Sequence, residues 1–119
     1  MLLELALVSA LQLAPADSIS GTWQVKGDVV GNAIDHPCTF RQAGAVLTGS
    51  CGEGAALPIK GEVKDGRITF QYASVYDGQA ITVVFSGTLA SATSLKGAIN
   101  VQPFDVGGEF TATPVPAKP

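Results

Sequence analysis

Residues 59–89 read Ile59-Lys60-Gly61-Glu62-Val63-Lys64-Asp65-Gly66-Arg67-Ile68-Thr69-Phe70-Gln71-Tyr72-Ala73-Ser74-Val75-Tyr76-Asp77-Gly78-Gln79-Ala80-Ile81-Thr82-Val83-Val84-Phe85-Ser86-Gly87-Thr88-Leu89. Up to residue 64, Ile59, Gly61 and Val63 alternate with Lys60, Glu62 and Lys64. From residue 68, Ile68, Phe70, Tyr72, Ser74 and Tyr76 share one face. A period of two belongs to a strand with one dry and one wet side. The dipeptides Asp65-Gly66 and Asp77-Gly78 tolerate the positive φ of a two-residue hairpin turn. The stretch is therefore two hairpins in succession, sharing a central strand.

The same grammar runs outward in both directions. Ile19 to Val29 alternates Ile19, Gly21, Trp23 and Val25 against Ser20, Thr22, Gln24 and Lys26. Ile34 to Gln42 places Ile34, His36, Cys38 and Phe40 on one side, and Ala43-Gly44 turns the chain into Val46–Cys51. Beyond Leu89, residues 95–101 and 107–113 complete eight short runs. Short connections pair each strand with its sequence neighbour, an up-and-down meander. Closing the first strand on the eighth removes both sheet edges, so the expected fold is an all-β, eight-stranded antiparallel barrel over residues 17–113. An open two-sheet sandwich is the alternative. The Pro-rich residues 114–119 are expected to be a loose tail.

Composition limits the function. Hydrophobic residues make up 46% and charged residues 14%, enough for one packed core. A net charge of −3, with basic residues scattered singly, speaks against a nucleic-acid partner. The first 16 residues form an apolar run ending in Ala14-Pro15-Ala16, the small-x-small pattern of a secretory cleavage site. Glu4 interrupts the run and no Lys or Arg precedes it; the competing reading is an amphipathic N-terminal helix. The run is too short for a membrane span, which needs about 20 apolar residues. Export fits the two cysteines, since an even count behind a leader reads as a disulfide in an oxidising compartment. With a connection of about four residues after the second strand, Cys38 and Cys51 fall opposite each other. The expected location is the periplasm or the exterior. No metal or other cofactor is expected, because His36, Cys38 and Cys51 give three candidate ligands where a structural zinc takes about four.

Gly21-Thr22-Trp23 opening the first strand resembles the calycins, the lipocalin and avidin group, and the layout of residues 19–113 is similar to theirs. So are Phe85-Ser86-Gly87-Thr88-Leu89 and the closing Gly108-Glu109-Phe110-Thr111-Ala112-Thr113. The resemblance implies that Trp23 plugs the closed end of a barrel. The departures matter: a single Trp argues against a biotin site, and the Thr-Asp-Tyr turn and late Arg of true lipocalins are missing. A looser similarity to periplasmic protease-inhibitor barrels, around Trp23 and the His36-Pro37-Cys38 and Cys51 pair, implies as an alternative an inhibitor of a protease or other hydrolase acting through residues 17–20 or through surface loops.

If the first strand climbs from a closed floor, the connections near 30–34, 52–56, 77–79 and 102–106 lie at the mouth. His36, Tyr72 and Tyr76 then face inward near the top, Phe104 sits on the connection above, and Phe40, Phe70 and Phe85 line the lumen deeper down. That lining suits a small, partly apolar ligand held without chemistry. The competing reading is that these side chains fill the core and satisfy one another. Catalysis is not expected. His36 is the only candidate base, and the adjacent Asp35 faces the other way on a strand. Asp77 and Asp105 lie on connections, and neither a nucleophile motif nor a phosphate loop is present. Exported protein is expected to begin at Asp17; N-terminal sequencing that returned Met1 would reverse the localisation reading.

Overall fold

The computed structural model describes residues 18–54 and 56–116; the leader reading and residues 117–119 of the tail lie outside them. Eight strands follow one another: β1 Gly21–Val29, β2 Asn32–Ala43, β3 Val46–Cys51, β4 Leu57–Lys64, β5 Arg67–Tyr76, β6 Gln79–Ser91, β7 Ser94–Gln102 and β8 Val106–Pro114. Each is antiparallel to its neighbour, and β1 pairs with β8, so the sheet closes into a barrel. The sandwich alternative is thereby excluded.

Hairpin chemistry sets the register. Asp65-Gly66 and Asp77-Gly78 both carry two positive φ values, at 52° and 79° and at 54° and 81°. This is the turn whose twist matches that of its flanking strands. Val30-Gly31 makes the same turn between β1 and β2, with Val30 at φ 51°, a region β-branched residues rarely adopt. The Asp28 carboxylate accepts a hydrogen bond from Gly31 N at 2.9 Å and supports the turn.

Most strands run a residue or two past the sequence expectation, and three departures shape the ends of the barrel. Ile19 precedes β1 instead of belonging to it, because it folds under the barrel: its N–H donates to Gln42 Oε1 and its carbonyl accepts the Trp23 indole N–H, both at 3.0 Å. Pro114 ends β8 opposite Trp23 instead of starting the tail, and Val115 N donates to Thr22 O at 2.8 Å. Finally, β5 and β6 run past their outer neighbours. Pairing of β4 with β5 begins only at Lys60↔Gln71, and that of β6 with β7 at Thr82↔Gln102. Pro58, with no N–H to donate, sits where the β4–β5 ladder would otherwise have continued.

The interior is layered. Ile19, Trp23, Leu47 and Leu95 are buried at the floor. Above them Phe70 and Phe85 stack with centroids 4.6 Å apart and planes within 4°. Phe40 meets Phe70 edge-on at 4.9 Å, and Phe110 meets Phe85 edge-on at 5.2 Å. Offset stacks and edge contacts of this kind add to the stabilisation that area burial supplies. Glycine makes the room: a Cβ on Gly61 would lie 2.8 Å from the Cβ of Phe70, directly across the β4–β5 pair. The ring thus covers bare backbone. Among the described residues, no buried side-chain polar atom lacks a hydrogen-bond partner.

Trp23 is 4% exposed. Trp23→Ala is expected to cost about 3–5 kcal/mol, because the floor loses both a large ring and the bond that pins Ile19. Denaturant unfolding of the variant checks this; a cost under about 1 kcal/mol would contradict the plug role.

Candidate functional site

Cys38 and Cys51 face each other across β2 and β3 and form a disulfide. The four-residue connection predicted this pairing. Two positions earlier on the same face of β2, His36 brings Nδ1 to 3.7 Å from Cys38 Sγ. Its Nε2 lies 3.0 Å from the hydroxyl of Tyr72 on β5. His36, Cys38 and Cys51 gather within 4.8 Å of one another, yet the two sulfurs are spent on each other. Asp35 points outward and accepts a hydrogen bond from Gln24 Nε2 at 2.8 Å. It cannot orient His36 as the carboxylate of a catalytic dyad would.

Burial tunes both members of the pair. Desolvation holds His36 below its ordinary pKa of 6.5, against the opposing pull of a hydrogen bond to its own backbone and of the Asp35 charge. Desolvation pushes Tyr72 up to about 12. The pair is therefore neutral near pH 7.

Above this pair lies a cavity of about 310 Å³ at the mouth. Val29 and Val30 from β1 and its turn, Ile34 from β2, Tyr72 and Tyr76 from β5, and Ile81 and Val83 from β6 surround it. Val101, Phe104 and Val106 close it on the β7–β8 side. Among the described residues, none that lines it is charged. It exists because the lumen is filled by long aromatic side chains below and by shorter β-branched ones above, and the latter do not meet at the axis.

The expected site residues thus separate into levels. Tyr72, Tyr76 and Phe104 line the cavity, and His36 sits behind Tyr72 without reaching it. Tyr76 lines the cavity from its rim: it is 51% exposed on the projecting β5–β6 hairpin, where its ring meets that of Phe104 edge-on at 6.5 Å. Phe40, Phe70 and Phe85, expected to line the deeper lumen, fill it and leave no space beside them. Sequence reading missed Val30, Val83 and Val101 as lining residues. Period two marks Val83 and Val101 as inward, and nothing in it distinguishes inward beside a ring from inward beside a void. A larger hollow of about 710 Å³ lies on the outer wall between Lys26, Arg67, Lys96 and Glu109. It is a shallow depression of the surface, distinct from the lumen.

The segment Ser18 to Ser20, read as a protease-inserting arm, is seated in the floor, with Ile19 fully buried.

No protein family matches the sequence, and neither does any curated protein. Solved structures do. A redesigned β-barrel shares 18% identity at a TM-score of 0.66, over 85% of this chain and 95% of its own. The redesigned β-barrel mFAP1, bound to DFHBI, shares 17% at 0.57, over 82% and 96%. A third, mFAP0 bound to DFHBI, shares 19% at 0.52, over 80% and 97%. At these identities the likeness is one of fold. It agrees with the barrel implied by the resemblance to calycins.

The two shifted groups give a pH signature. His36 has a lower pKa folded than unfolded, so the unfolded chain binds the proton first and stability falls as the pH drops below about 6.5. Tyr72 has a higher pKa folded than unfolded, so stability also falls as the pH rises beyond about 10. Urea midpoints across this range should show both slopes, and the acid slope should flatten in His36→Leu. An NMR titration placing the His36 pKa above 6.5 would contradict its burial.

Proposed function

We propose that this protein is an exported, non-catalytic barrel that holds one small, largely apolar molecule in its mouth cavity. The observation that carries the reading is the split interior: solid from floor to aromatic layer, and open above it where every lining residue is uncharged. A cavity of about 310 Å³ is at the small end of ligand pockets, which favours a molecule of one or two rings or a short chain. The redesigned neighbours bound to DFHBI support the idea that a barrel of this architecture accommodates a small organic molecule. The disulfide and the leader-like residues 1–16 support a periplasmic or secreted location. The single histidine, without a carboxylate behind it, favours binding over catalysis.

Titration with N-phenyl-1-naphthylamine, an uncharged apolar fluorophore, tests the reading. The wild type is expected to bind one equivalent. Ile81→Trp, which fills the cavity from β6, is expected to weaken binding by roughly tenfold or more at a stability cost of about 1–3 kcal/mol. Tyr76→Ala should also weaken binding, while costing under about 1 kcal/mol because the side chain is half exposed. Equal affinity in all three proteins would place the probe elsewhere and sink the reading.

A further inference from the structure

Asn32, Tyr72, Ser74 and Tyr76 are the polar residues lining the cavity, and the polarity of the Tyr72 hydroxyl follows from what lies behind it. Tyr72 lines the cavity, and its hydroxyl meets His36 Nε2 at 3.0 Å. Which partner holds the hydrogen depends on the other ring nitrogen. Nδ1 faces Cys38 Sγ at 3.7 Å, and that sulfur belongs to the disulfide, so it carries no hydrogen to give. The neighbour of Nδ1 can therefore only accept, and the ring hydrogen belongs on Nδ1. Nε2 is left with its lone pair, and Tyr72 must donate to it.

A phenolic oxygen whose hydrogen is committed in this way can only accept from anything else. We infer that the Tyr72 hydroxyl, held as an acceptor by His36, anchors an uncharged ligand that presents an O–H or N–H donor from an otherwise apolar frame. This rests on the mouth cavity being the binding site. The absence of charged lining residues sets the other half of the specificity, because an ion buried there would lose its hydration with no opposite charge to replace it. His36 acts through Tyr72 and is a positioning residue.

Three probes of nearly equal shape separate the possibilities, each measured by displacement of N-phenyl-1-naphthylamine: 1-naphthol, a donor; 1-methoxynaphthalene, an acceptor only; and 1-methylnaphthalene, neither. Tyr72→Phe should weaken 1-naphthol roughly two- to tenfold, the worth of one net hydrogen bond, and leave the other two unchanged. His36→Leu frees the Tyr72 hydrogen to turn into the cavity, so 1-methoxynaphthalene should gain relative to 1-naphthol. That exchange of preference is something a merely structural role for His36 would not produce. Equal losses for all three probes in Tyr72→Phe would overturn the anchor, and an unaltered preference in His36→Leu would overturn the placement of the proton. Binding of 1-naphthoate as tight as that of 1-naphthol would overturn the requirement for an uncharged ligand. Should His36→Leu fail to fold in thermal unfolding, Tyr72→Phe alone decides the donor question. If the wild type binds neither the fluorophore nor any naphthalene, the mouth is not a binding site and the proposed function falls with the inference.

Discussion

The seam where β1 meets β8, from Trp23↔Pro114 to Val29↔Gly108, is the constraint on which everything else depends. Without it the sheet has two unpaired edges and no interior. With it, eight strands enclose a lumen whose width is fixed by strand number and tilt, and side chains must divide a set volume. Phe40, Phe70, Phe85 and Phe110 exhaust the lower part of that volume. Valines and isoleucines fall short of exhausting the upper part. The cavity is therefore a consequence of composition by level and needs no separate device to hold it open.

Rigidity and reactivity are also distributed by level. The floor is fixed by hydrogen bonds that tie Ile19, Trp23 and Gln42 together. The middle is fixed by ring stacking and by the disulfide between β2 and β3. At the mouth, β5 and β6 project past β4 and β7, and Val30, Val75, Tyr76 and Phe104 expose large apolar surfaces. A rim with few cross-strand partners and much exposed backbone belongs to the low-stability end of a structure, where ligand exchange is least costly.

Alternation and turn chemistry carried most of the architecture in the sequence. Lys60-Gly61-Glu62 and Asp65-Gly66 are unambiguous, because a polar face and a turn requiring positive φ each admit few solutions. The pairing of Cys38 with Cys51 followed from the cysteine count and the length of the connection between β2 and β3. What the sequence withheld was depth. Phe85 and Val83 obey the same period, but one packs against three rings and the other borders a void. That difference arises from residues brought together from β2, β5, β6 and β8, which no local pattern encodes. The exposure of Tyr76 was hidden for a related reason: alternation tells which face a residue occupies, and is silent on where a neighbouring strand stops. The bond between His36 and Tyr72 spans 36 positions and joins strands that are not sheet neighbours.

The seam also makes the chain's linear order a convention. Ile19 and Val115 both lie at the floor, one bonded to the Trp23 indole and the other to Thr22 O, so the first and last described strands are neighbours in the same sense as any other pair. The eight strands form a cycle. A covalent bridge across the floor and a cut at Asp65-Gly66 would yield a permuted chain with every strand pairing retained. Its new ends would also sit at the floor, leaving the Val30, Asp77 and Phe104 connections at the mouth continuous. A closed meander of this kind has a fixed neighbour list and no preferred beginning.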